Sequence, residues 1–115
     1  MPTSADLLPG SIVWAELDPV AGREQGERRP VLVVASRGYL DTVDTLVIVV
    51  PISRSDRGWP NHVPLSTLPE PSFAMTEQLR TVSRSRLHGT LAVASDEELR
   101  EVRRWLAAFL DLPSG

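Results

Sequence analysis

The stretch Thr45-Leu46-Val47-Ile48-Val49-Val50-Pro51-Ile52-Ser53 is apolar at nearly every position, and it limits the fold more than any other part of the chain. Its length and β-branched content suit a strand. Apolar side chains at both odd and even positions require burial on both faces, at the centre of a sheet. Pro51 has no N–H to give to a ladder, so a bulge or strand end is expected just before Ser53, which then emerges from the core into a loop. A chain of 115 residues has room for one core and one domain.

The remaining strands are shorter. Residues 1–9 read as a tail with little to bury, and Pro9-Gly10 marks a turn, so one domain is expected over residues 10–112. Residues 11–17 have the content of a strand, with Trp14 facing the core, and Asp18-Pro19 closes it. Residues 29–36 form a second strand, and 37–44 are turn-rich. After the central run, residues 54–61 form a polar loop broken by Gly58 and Pro60, with short strands at 62–65, 73–78 and 79–83. From Ser95 the period changes: Ser95 and Glu98 make a capping box, and Leu99, Val102, Leu106, Phe109 and Leu110 recur at helical spacing on one apolar face. The pattern predicts a mainly β, α+β domain: a small, strongly curved antiparallel sheet or barrel with a C-terminal amphipathic helix packed against it.

The stretch from Gly22 to Ser36 is the chemically densest. Arg23, Glu24, Gln25, Glu27, Arg28 and Arg29 crowd a short loop, and Pro30 hands it to Val31-Leu32-Val33-Val34. A proline holds the preceding residue extended, so Arg29 sits at the mouth of a strand on rigid backbone, where a binding or catalytic group is best placed. The loop before Arg29 and the loop after Ser53 belong to neighbouring runs and share one groove if those strands pair.

Composition excludes several classes. Without cysteine there are no disulfides, thiolate ligands or cysteine nucleophile, and two distant histidines, His62 and His88, suggest no metal site. No window has the roughly 18 apolar residues of a membrane span, and the N-terminus lacks the order of a signal peptide, so a cytosolic protein is expected. The net charge of −3 argues against a nucleic-acid binder only as a total. Residues 80–88 hold three arginines and no acid, whereas residues 95–111 hold five acids against three arginines, which leaves a basic patch away from the helix.

Taken together, Gly10-Ser11-Ile12-Val13-Trp14 with Asp18-Pro19, then Gly22-Arg23-Glu24-Gln25 leading to Arg29-Pro30, Val50-Pro51-Ile52-Ser53, Gly58-Trp59-Pro60 and Glu77-Gln78-Leu79-Arg80-Thr81 resemble, in order and spacing, the MazF/PemK toxins of bacterial type II toxin–antitoxin systems. The resemblance spans roughly residues 10 to 110. It implies an SH3-like barrel of the PemK/CcdB type, a homodimer, metal-free and cofactor-free cleavage of single-stranded RNA at specific sequences, and a cognate MazE-like antitoxin that blocks the groove. By the same resemblance the catalytic arginine falls on Arg29 and the catalytic threonine on Ser53, which keeps the hydroxyl. Arg23 stands where the family has serine, and Glu24, Gln25 and Gln78 match the acidic and amide positions.

The chemistry agrees with that assignment. When a ribose 2′-hydroxyl attacks the adjacent phosphorus, charge builds on the phosphoryl oxygens, and an arginine fork with a hydroxyl donor suits it. Arg29 stays protonated and is no general base. Glu24 is the nearest candidate for one; His62 is another, though a strand-edge histidine bonded to backbone or water is the better reading of it. Arg28, Arg80, Arg84, Arg86 and Trp59 are candidates to hold RNA by charge and stacking, while one or more of the arginines could instead pair with Glu77 or the helix acids. Two other readings keep the fold: a CcdB-like toxin that binds gyrase without cutting nucleic acid, and a non-catalytic interaction module. Having Arg29 and Ser53 together at strand mouths favours the ribonuclease.

Overall fold

In the computed structural model, which describes residues 7–17 and 28–113, the apolar run is strand β3 (Leu46–Ser53), and the architecture is arranged on its two edges. One edge pairs with β2 (Arg28–Val33), which pairs in turn with β1 (Ser11–Glu16), and β1 with β7 (Leu87–Val93). The other edge is divided. Leu46 to Val49 face β6 (Arg80–Ser83), and Ile52 and Ser53 face β5 (Ser72–Met75), which carries β4 (His62–Leu65) outside it. Every pairing is antiparallel. Pro51 falls between the two partners, where the ladder on that edge is already interrupted, so a residue without an N–H fits there and the strand continues to Ser53.

Burial on both faces follows the alternation of the strands. Val31, Val33, Val47 and Val49 join one apolar cluster with Val13, Ala15, Val82 and Leu87. Leu32, Val50 and Ile52 join another with Ile12, Val63, Ala74 and the helix residues Leu99, Val102 and Leu106. From Val31 to Val33 on β2 and from Val49 to Ile52 on β3 a side chain is therefore enclosed whichever way it points, while Leu46 at the start of β3 is exposed. The mainly β fold with a C-terminal helix is as the sequence predicts, but the sheet is open. Its order is β4-β5-β3-β2-β1-β7 with β6 on β3, so the path forks at β3 rather than returning on itself as a closed barrel. Register shifts between β1 and β7 supply local bends.

The helix, α2 (Asp96–Phe109), begins with the expected capping box: Ser95 Oγ accepts from the Glu98 N–H at 3.1 Å and Glu98 Oε1 from the Ser95 N–H at 3.0 Å. Glu98 also accepts from the Ser66 N–H at 2.7 Å and the Ser66 hydroxyl at 2.9 Å, which ties the start of the helix to the end of β4. Burial alone would raise its carboxyl pKa, but the bonds from Ser66 and Ser95 outweigh it and hold the group below its ordinary 4.5. A depressed pKa stabilises the fold above 4.5, and that contribution is lost as pH falls through the folded value. Glu98→Ala should therefore cost about 1–2 kcal/mol in urea unfolding at neutral pH. The difference from the parent should shrink once the pH is taken below 4.5.

Several expectations are corrected. Leu7, in the segment read as a tail, is only 1% exposed and belongs to the first cluster. Residues 37–44 are not merely turns: α1 (Arg37–Thr42) is capped by Ser36, whose hydroxyl accepts from the Tyr39 N–H at 3.1 Å, and buries Leu40. Six residues are too few to show a period. Residues 76–78 form a 3-10 turn rather than the end of a strand. Strand β7, with Gly89 and a mostly exposed pattern, gave no recognisable alternation. Trp14 is 38% exposed instead of core, opposite the half-buried Pro30. Phe109 and Leu110 keep the helical period yet are 50% and 55% exposed; burial depends on what packs opposite, which periodicity does not report.

Candidate active site

The register of β2 on β3 brings together the two residues of greatest chemical interest. Val33 lies opposite Val49, Leu32 opposite Val50 and Val31 opposite Pro51. The pairing ends there, and Arg29 and Ser53 each lie two residues beyond its last pair, at the adjoining ends of the two strands. They also share a face. Arg29 is opposite Ala15 of β1, a member of the first cluster, and it has the parity of Val31 and Val33; Ser53 has the parity of Val47 and Val49. Arg80 joins that face, opposite Val49. Two arginines and a hydroxyl thus stand at one end of the first apolar cluster, with Arg29 exposed and Ser53 half-buried.

The neighbouring basic residues converge on the root of the charged loop. Arg80 Nη2 donates to the Leu17 carbonyl at 3.1 Å, and Arg86 Nη1 to the Glu16 carbonyl at 3.3 Å and the Leu17 carbonyl at 3.5 Å. Leu17 is the last described residue before that loop. Arg23, Glu24 and Gln25 lie outside the described residues. Arg28, exposed, is opposite Glu16 and so points to the other face of β2 from Arg29. Arg84 departs from the group of candidate phosphate contacts. Its guanidinium donates to the carbonyls of Leu40 at 2.9 Å, Val43 at 2.6 Å and Leu46 at 3.2 Å, satisfying the end of α1 and the start of β3.

Beyond Ser53 the loop is held by local bonds. Ser53 Oγ accepts from the Ser55 N–H at 3.0 Å, and Asp56 Oδ1 from the N–H of Gly58 at 2.9 Å, where a φ of +72° calls for glycine. Trp59 is 47% exposed, its ring 4.8 Å from that of His62 and 5.9 Å from the Arg57 guanidinium. The ring of His62 bonds a carboxylate. Its Nε2 donates to both oxygens of Glu77, at 2.9 and 3.0 Å, and its side chain is 1% exposed. Burial pushes the Glu77 carboxyl up, but the bonds it accepts, from His62 first, prevail and hold it below 4.5. Asn61 Nδ2 also donates to Glu77 at 2.9 Å, and Gln78 follows on the same 3-10 turn. Sequence reasoning passed over Glu77 and Asn61 as site residues. The only signal was the neighbourhood of Glu77 to Gln78, since their approach to His62 is made by strand pairing.

Among the described residues no group of three or more histidine or acidic side chains could hold a metal ion, and no helix is long and apolar enough to cross a membrane. A groove of ≈ 720 Å³ opens between β4, β5 and the first turns of α2, lined by Val63, Leu65, Phe73, Glu97 and Arg100 among others. It contains none of the candidate catalytic or RNA-binding residues.

The chain was compared with known proteins. A profile of the PemK-like, MazF-like toxins of type II toxin–antitoxin systems matches residues 8–110. Endoribonuclease MazF of Staphylococcus saprophyticus is 32% identical, with 90% of each chain covered. The crystal structure of MazF (Form-I) from Deinococcus radiodurans superposes with a TM-score of 0.77 at 32% identity, covering 92% of this chain and 97% of that one. A MazE-MazF structure (Form-II) from the same organism gives 0.80 at 32% identity, over 93% and 97%.

Proposed function

This chain belongs to the PemK-like, MazF-like toxin family of type II toxin–antitoxin systems, and we propose that it is the toxin of such a pair, an endoribonuclease that cuts single-stranded RNA in the cytoplasm and so inhibits translation and growth. What supports the reading is that Arg29 and Ser53 have the parity of one face and each lie two residues beyond the last β2–β3 pair, Val31–Pro51. A guanidinium fork and a hydroxyl side by side can donate to the same phosphate, and each bond strengthens as the phosphoryl oxygens gain charge. A non-catalytic binding surface has no need of that pairing.

In the reaction the ribose 2′-oxygen bonds to phosphorus as the bond to the 5′-oxygen breaks. This leaves a 2′,3′-cyclic phosphate on one product and a 5′-hydroxyl on the other. Arg29 neutralises the non-bridging oxygens, and Ser53 donates to one of them. The 2′-hydroxyl proton passes to Glu24, the carboxylate assigned as base, and the leaving 5′-oxygen takes a proton from solvent water. Arg80 and Arg86 at the root of the charged loop, with Arg23, Gln25 and Arg28, supply the basic track for the backbone, and Trp59 and Gln78 line its other side. No step uses a metal. Purified protein incubated with a long RNA in the presence of a chelator should give internal cuts with these two kinds of end. Absence of cleavage, or cleavage only on addition of a divalent ion, would refute the reading.

The domain, residues 10–112, acts as a homodimer in this proposal, since two copies about a two-fold axis lengthen a groove that is short in one. The inhibitor is a MazE-like antitoxin, and the arginines it must cover call for carboxylates. Its binding should compete with RNA and weaken with rising salt, because exposed charge pairs are screened beyond about 10 Å at 0.1 M ionic strength. An antitoxin that binds while cleavage continues would rule out a shared groove.

A further inference from the structure

We propose that His62 and Glu77 form a clamp that holds Trp59 as a stacking platform for a nucleobase next to the scissile phosphate. The pair would thereby govern RNA binding rather than the chemical step; this rests on the ribonuclease reading above. The loop that carries Trp59 begins at Ser53 and ends at His62, so the platform and the proposed hydroxyl donor are the two functional ends of one segment. Trp59 leaves about half of its surface to solvent, 47%, in a loop whose other members are all polar, glycine or proline. What supports its ring is the ring of His62, 4.8 Å away and tilted by 43°. The Trp59 carbonyl also accepts from the His62 N–H at 3.1 Å.

His62 is in turn fixed. An ionised carboxylate only accepts, so the bonds from Nε2 to Glu77 put the proton on Nε2 and set which way the ring faces. The end of the loop is bonded to the same 3-10 turn three times more: Asn61 Nδ2 to Glu77 at 2.9 Å, Asn61 Nδ2 to Thr76 Oγ1 at 3.2 Å, and Thr76 Oγ1 to the Asn61 carbonyl at 2.8 Å. That turn, Thr76–Gln78, joins β5 to β6 at the point where the edge of β3 changes partner, so it also presents Gln78 beside Arg80. One set of bonds thus fixes both an aromatic face, on the loop that leaves Ser53, and an amide two residues before Arg80. A platform held before RNA arrives avoids the cost of ordering on binding, and stacking on it accepts any base.

The test is a double-mutant cycle read in KM and kcat on a single-stranded RNA that the wild-type chain cleaves. Trp59→Ala should raise KM about tenfold with kcat little changed, as loss of one stacked base requires. His62→Phe and Glu77→Ala should each do the same, and Glu77→Gln, which keeps an acceptor for Nε2, should restore most of the affinity. The Trp59→Ala/His62→Phe double variant should bind no worse than Trp59→Ala alone, because the clamp acts only through the ring. If His62→Phe fails to fold, the cycle is closed with Glu77→Ala, whose side chain is 31% exposed. Unchanged KM in a folded clamp variant, or effects that multiply in the double variant, would overturn the proposal and leave the ribonuclease reading standing. Failure of the wild-type chain to cut RNA would overturn that reading itself.

Discussion

Arg29→Ala should reduce RNA cleavage at least a hundredfold, the equivalent of about 3 kcal/mol of transition-state stabilisation, as expected for losing a charged donor aimed at the phosphate. The effect should fall on kcat, because the fork is most useful when the phosphoryl oxygens carry their greatest charge. Arg29→Lys separates charge from geometry: it keeps the positive charge but loses the planar pair of donors, so it should recover only part of the rate. Arg29 is an exposed residue at the start of β2, with Pro30 and the buried Val31 beyond it holding the strand in place. The variant is therefore expected to fold, which circular dichroism and a cooperative urea transition would check. A folded Arg29→Ala protein that cuts at the parental rate would remove Arg29 from the site, and with it the principal support for the mechanism.

Replacement of Ser53 is expected to have the next largest effect, and it discriminates more finely. Ser53→Ala should lower kcat by about tenfold to a hundredfold, in the range for loss of a donor to a developing oxyanion. Ser53→Thr should retain activity, since the hydroxyl is kept and the added methyl stiffens χ1 at a strand end that favours β-branched residues. The Ser53 hydroxyl also accepts from the Ser55 N–H at 3.0 Å. That N–H is exposed, so water replaces the lost acceptor and stability should change by no more than about 0.5 kcal/mol. Single-turnover cleavage of one defined RNA by the three proteins decides the matter. Equal rates for serine and alanine would exclude the hydroxyl from the reaction.

Much of this was legible in the residues because it depends on local rules. The apolar run of β3, the capping box of α2 and the extended position of Arg29 ahead of Pro30 each follow from chemistry within a few residues, and the structure agrees with all three. The motif order from Gly10 to Thr81 identified the family, which the comparisons support independently. Where local rules were weak, the reading was weak. The six residues of α1 are too short for a period, β7 carries Gly89 in a mostly exposed strand, and Trp14 and Phe109 have core-like character yet are 38% and 50% exposed.

By itself, the sequence determined the type of domain, the central strand, the helix with its cap, and the identities of the residues offered for chemistry, since composition, periodicity and capping are properties of neighbouring residues. Only the tertiary structure decided which of those residues meet. The register that brings Arg29 and Ser53 to adjoining strand ends is fixed by burial of Val31 and Val33 with Val47 and Val49; a slip of one residue would turn one strand over and leave the two site residues on opposite faces. The division of β3 between β6 and β5 leaves the sheet open and puts the turn bearing Glu77 next to His62. The folded chain likewise gives Arg84 to the carbonyls at the end of α1 while Arg80 and Arg86 converge on Leu17. Three arginines that look alike in sequence thus have different partners, because a long side chain is directed by the acceptors that the packed backbone leaves unsatisfied around it.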